Sequence, residues 1–189
     1  MELSVCAPDE SGWVAGCRHV CSPNCDERPA DARVELLVVH AISLPPGRFG
    51  GGDVEALFTN RLDATADPFY PTICGLQVSA HFLIRRDGEL VQFVPTRLRA
   101  WHAGQSSWRG KPRCNDFSIG IELEGCDEVG FEGAQYERLA ALVNVLCRAF
   151  PIEAIAGHSE IAPGRKTDPG PCFDWTRLMQ RLERPLDRS

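Results

Sequence analysis

The run VELLVVH, residues 34–40, is apolar apart from Glu35 until its closing histidine and rich in β-branched residues. A run of that kind suits a strand buried on both faces, so it predicts a central strand ending at His40. Cover for such a strand is encoded downstream. In GAQYERLAALVNVLCRAF, residues 133–150, Leu139, Leu142, Val143, Leu146 and Cys147 recur three and four apart, which makes an amphipathic helix packing on a sheet.

The remaining segments supply the rest of that sheet. SAHFLIRRDGELVQFVP, residues 79–95, places two apolar runs around Asp87-Gly88, and predicts a hairpin whose two-residue turn takes positive φ at both positions. FSIGIELEG, residues 117–125, alternates apolar Ile119, Ile121 and Leu123 with polar positions, so Glu122 and Glu124 share one face of a strand. IEAIAG reads as a short strand delivering His158, VEALFTNRL as a short helix and FDWTRLMQRL as a closing helix, while RAWHAGQSSWRGKPRCND reads as loop. Pro163, Pro169 and Pro171 keep the stretch from 156 to 175 out of regular structure. The prediction is a single α/β domain, a mixed β-sheet flanked by α-helices, over residues 33–183, with residues 1–32 as an irregular arm holding a short helix around SGWVAGCRHV.

With 189 residues, 43% of them hydrophobic and 24% charged, the chain is long enough for one full core. A net charge of −6 with no run of five basic residues argues against a nucleic-acid partner, and no protein partner is implied. The first sixteen residues carry acids and no long apolar run, which predicts neither export nor membrane insertion and a cytoplasmic location. The nine cysteines are expected as thiols there. Cys17, Cys21 and Cys25 invite a zinc reading, but neither a fourth ligand nor a C-x-x-C turn accompanies them.

Chemistry is better served elsewhere. A catalytic zinc takes three protein ligands, commonly imidazoles and a carboxylate, and leaves a fourth position for water; His40, His158 and Asp168 fit that donor set. Their spacing matches no short zinc signature, so spacing alone does not decide the matter. A hydrolase of this kind also needs a base and a group to stabilise the oxyanion. Glu122 or Glu124 could be the first and Lys166 the second.

The segments SPNCDERP, LLVVHAISLPPGRFGG, VSAHFLIRRDGELVQFVP, AWHAG, RCNDFSIGIELEG and GHSEIAPGRKTDPGPCFDW, in that order from about residue 13 to residue 178, resemble the AmpD-type 1,6-anhydro-N-acetylmuramyl-L-alanine amidases. The resemblance implies an amidase-2 fold and a zinc ion (Zn2+) held by His40, His158 and Asp168. It further implies Glu122 as general base, Lys166 at the oxyanion and an anhydro-muropeptide as substrate. Arg113, Trp101 and His102 are the implied substrate contacts. Two positions depart from the family pattern: Ala41 stands where an asparagine is usual and Gln77 where an arginine is usual, both of which look like substrate contacts. The alternative is a non-catalytic peptidoglycan-fragment binding module of the same fold. Such a module would have lost a ligand or the base, and this chain has lost none.

Overall fold

Leu36–Ile42 and Ser118–Glu124 run side by side in parallel, paired residue for residue from Leu36 with Ser118 to Ile42 with Glu124. Around this pair the computed structural model, which describes residues 5–188, builds the rest of the fold. In chain order its elements are β1 (Arg18–His19), β2 (Cys25–Asp26), β3 (Leu36–Ile42), α1 (Asp53–Phe58), β4 (Phe82–Ile84), β5 (Leu90–Gln92) and β6 (Arg99–Ala100). They continue with β7 (Ser107–Trp108), β8 (Lys111–Pro112), β9 (Ser118–Glu124), α2 (Gly133–Ala149), β10 (Ala154–Gly157), α3 (His158–Ile161) and α4 (Trp175–Met179). The main sheet has the order β1-β5-β4-β9-β3-β10. Only β4 and β5 pair antiparallel within it, so it is the expected mixed sheet.

Side-chain parity sorts the two faces. Leu37 and Val39 of β3, Ile119, Ile121 and Leu123 of β9, and Ile155 of β10 pack into one core with Leu139, Leu142, Val143 and Leu146 of α2. Leu36 and Val38, with Ala154 and Ala156, face the other way, into a smaller cluster with Phe117 and Ile161. His40 follows Leu36 and Val38 in parity, so it lies on the face away from α2. Gln135, fully buried at the start of α2, donates to the carbonyls of Ile84 and Glu124 and so ties the helix to the ends of β4 and β9.

Several local expectations change. β3 runs two residues past His40 to Ile42, whose carbonyl accepts from Gly125 N at 3.0 Å, so His40 sits inside the strand. The hairpin forms, but Arg85 N donates to Glu89 O and only Gly88 takes positive φ, at 85°. The loop is therefore the three-residue kind with glycine in the left-handed position, and Asp87 needs no unusual backbone. No helix forms around residues 11–20, because Gln92 captures that backbone: its Oε1 accepts from Val14 N and its Nε2 donates to Gly12 O. The following residues join the sheet as β1. Within the expected loop at 99–116, β7 and β8 form a small hairpin. His158 opens the one-turn helix α3 before Pro163, and α4 is shorter than expected. Among the described residues no helix is long and apolar enough to cross a membrane.

Leu139 has no exposed surface and touches the sheet from the middle of α2. Leu139→Ala is expected to lower stability by about 2–5 kcal/mol through lost burial and the cavity left behind. Urea unfolding should show the loss as a lower midpoint with an unchanged slope.

Candidate active site

Three chain segments bring the titratable groups together. His40 comes from β3, Glu122 lies beside it on β9 in direct register, and His158 follows β10, which pairs with the other edge of β3. The loop after α3 folds back so that Asp168 O accepts from Ser159 N at 2.9 Å, which carries the Asp168 carboxylate to the two rings. His40 Nδ1 and His158 Nδ1 are 3.0 Å apart, and each is 3.1 Å from Asp168 Oδ2. Among the described residues this is the only trio of histidine, cysteine or carboxylate side chains that converges as a metal site would. Cys17, Cys21 and Cys25 form no such cluster, and all nine cysteines are free thiols.

The protons on these rings can be placed for His158. Arg165 Nη2 has two hydrogens, which go to the carbonyls of Ala103 and Gln105, both at 2.7 Å. His158 Nε2, 3.2 Å from Ala103 O, must then carry the proton of that contact. A neutral His158 therefore points an unprotonated Nδ1 at the Asp168 carboxylate. Two acceptors facing one another at 3.1 Å repel unless a cation lies among them. Burial pushes His40 down to about 4, so it is neutral near pH 7, as a metal ligand must be.

The two glutamates of β9 separate cleanly. Glu124 is fully employed: Gly50 N donates to it at 2.6 Å, Arg86 N at 3.2 Å and Arg85 Nη1 at 3.4 Å. Glu122 is buried, and its Oε2 has no hydrogen-bond partner among the described residues. Burial pushes the Glu122 carboxyl well above the usual carboxylate range, and the charge of Asp168 adds to that while Lys166 opposes it. A buried, unpaired, perturbed carboxyl beside a ligand trio is the signature of a functional group.

A cleft of about 490 Å³ opens over this floor, lined by His40, Glu122, His158, Asp168 and the exposed Lys166. Lys166 makes no ion pair among the described residues. One wall is apolar, with Leu57, Phe58, Ile73 and Val78 behind the exposed side chains of Phe69 and Leu76. That wall was missed in the sequence, where FYPTICGLQV carries no period that sets it apart from loop. Arg165 was missed as well, since nothing in the sequence tells a loop-clamping arginine from a solvated one.

Among the expected substrate contacts, His102 lines the cleft, with its Nδ1 2.9 Å from His40 Nε2. Arg113 does not reach the cleft. It lines a separate depression and pairs with Asp116 at 3.1 Å. The Trp101 indole is likewise outside the cleft lining and donates to Asp26 Oδ1 at 3.0 Å. The ion pair to Asp116 holds Arg113 and the hydrogen bond to Asp26 holds Trp101, and sequence gives no sight of those partners. Ala41 lines the cleft, whereas Gln77 is exposed between Leu76 and Val78.

The N-acetylmuramoyl-L-alanine amidase family matches residues 30–171. The chain belongs to that family. Within it, the chain is 58% identical to the 1,6-anhydro-N-acetylmuramyl-L-alanine amidase AmpD of Escherichia coli (strain K12) over 171 residues, covering 89% of this chain and 93% of that one. A crystal structure of a selenomethionine AmpD derivative superposes on this amidase with a TM-score of 0.90 at 56% identity, over 92% of this chain and 98% of that one. The E. coli amidase AmiD, solved with the substrate anhydro-N-acetylmuramic acid-L-Ala-D-γ-Glu-L-Lys, gives a TM-score of 0.58 at 30% identity, over 95% of this chain and 66% of that one.

The contrast between the two glutamates is measurable without any substrate. Glu124→Ala should cost about 1–3 kcal/mol, since it leaves buried donors without an acceptor. Glu122→Gln should be at least as stable as the wild type, because Oε2 loses no hydrogen bond. Urea unfolding of the metal-free protein reads both.

Proposed function

We propose that this chain is a zinc-dependent amidase that hydrolyses the amide bond between the lactyl group of 1,6-anhydro-N-acetylmuramic acid and the L-alanine of the stem peptide. The observation that carries the reading is the convergence of His40, His158 and Asp168 beside the partnerless carboxyl of Glu122, on the floor of one cleft. The close AmpD relatives supply the substrate class, and the AmiD complex supports an anhydro-muropeptide as its occupant.

The donor set and its size both fit zinc. Four-coordinate zinc with bonds of about 2.0–2.1 Å keeps neighbouring ligand atoms about 3.3 Å apart. The trio here has edges of 3.0–3.1 Å and is open on the cleft side. Two imidazole nitrogens and one carboxylate oxygen, with one position left over, are the donor pattern of a catalytic site. A zinc ion held there would supply a water activated near neutral pH and a Lewis acid for the scissile carbonyl.

The chain's own groups do the rest. Glu122 takes the proton of the attacking water and later gives it to the leaving amine nitrogen. Its raised proton affinity suits a group that must hold that proton between the two steps. Lys166, which lines the cleft, supplies the cation for the oxyanion. The activity resides in residues 33–183, and the protein works in the cytoplasm on recycled cell-wall fragments.

Mass spectrometry of an anhydro-muropeptide incubated with the purified protein should show separation of the sugar from an intact peptide, and loss of that product with chelator. His158→Ala should lose both zinc and activity; full zinc content in that variant would overturn the ligand assignment. Glu122→Gln should keep its zinc and lose about 10²- to 10⁴-fold in kcat. Unimpaired turnover by that variant would remove Glu122 from the reaction.

A further inference from the structure

We infer that Ser118 and His102 form a hydrogen-bonded relay that holds His40 in the tautomer whose Nδ1 lone pair faces the metal position. Both are positioning residues, and the inference rests on the zinc reading above. The direction of the relay follows from its far end. Ser118 Oγ lies 2.6 Å from the Cys114 carbonyl, which can only accept, so the single hydroxyl hydrogen points there. The next contact, 3.2 Å between Ser118 Oγ and His102 Nε2, therefore needs its proton on Nε2.

Among the described residues the hydrogen-bond partners of the His102 side chain are Ser118 and His40, with no carboxylate. A buried imidazolium without a counter-charge is costly, so the ring is neutral and its Nδ1 is an acceptor. His40 Nε2, 2.9 Å away, must then donate, and a neutral His40 is left with an unprotonated Nδ1 pointing at His158 and Asp168. One backbone carbonyl thus sets the protonation of two rings in series.

β9 is shaped for this relay. Ser118, Gly120 and Glu122 alternate on the cleft face, and a Cβ on Gly120 would lie 2.5 Å from His102 Cγ. Gly120 therefore opens the space that seats the ring between the hydroxyl at one end and His40 at the other. A metal-binding histidine commonly has its second nitrogen held by a carboxylate or a carbonyl. Here a second histidine takes that place and needs Ser118 to define its own proton.

Long-range 1H–15N spectra and zinc titration, each on the full chain, test the relay. The wild-type spectra should place the protons of both His40 and His102 on Nε2. A proton on Nδ1 of His102 would overturn the inference whatever the zinc affinity. His102→Leu removes the acceptor and should weaken zinc binding about 10- to 100-fold in competition with a chromophoric chelator. His102→Asn, whose Oδ1 occupies the place of Nδ1, should retain an affinity close to wild type. Equal affinities for the Leu and Asn variants would overturn the relay, and the wild-type spectra still decide it should the Leu variant fail to fold. A wild-type chain that takes up no zinc would instead defeat the zinc reading.

Discussion

The parallel ladder between β3 and β9 is the constraint on which the rest of the site depends. Its register sets His40 directly beside Glu122, and the two-residue period of a strand sends both side chains to the same face. A slip of one residue would turn His40 and Glu122 into the apolar core beneath α2 and expose Val39 and Ile121 in their place. The cost of burying those polar groups and exposing those apolar ones specifies the register. Because β10 pairs with β3 under the same rule, the position of His158 is settled by the same ladder.

Polar burial on β9 shows how a scaffold separates support from chemistry. Glu122 and Glu124 sit two residues apart on the same face, and both are buried. Glu124 is held by two backbone amides and Arg85, and so closes the loop around Gly50 against the hairpin. Glu122 keeps an unpaired oxygen over the cleft floor. Leaving a buried acceptor unpaired lowers stability, and it persists here because β9 is clamped by neighbours on both sides.

The N-terminal arm contributes to that clamp. Arg28 donates through Nη1 to the carbonyls of Asn115 and Asp116 and through Nη2 to those of Ser118 and Thr96. One guanidinium therefore satisfies four carbonyls around the start of β9, next to the residue that anchors the histidine relay. The arm holds little regular structure of its own, yet its half-buried Arg28 ties down the strand on which Glu122 lies.

Much of this was legible in the chain itself. The apolar run at 34–40, the stripe of α2 and the alternation of FSIGIELEG are local periodicities, and local periodicity reports which face of an element is buried. The donor types at His40, His158 and Asp168 were legible too, because few side chains bind metal. What remained closed to the sequence depended on partners distant along the chain. The alternation of Glu122 and Glu124 cannot say which is satisfied, since the groups that pair Glu124 come from Gly50 and the hairpin. Arg113 and Trp101 read as substrate contacts, and only the fold shows them paired with Asp116 and Asp26 outside the cleft lining, while the helix expected near residue 14 yields to the amide of Gln92. Periodicity is a property of neighbours in sequence, whereas hydrogen-bond satisfaction is a property of neighbours in space, and only the folded chain brings the second kind together.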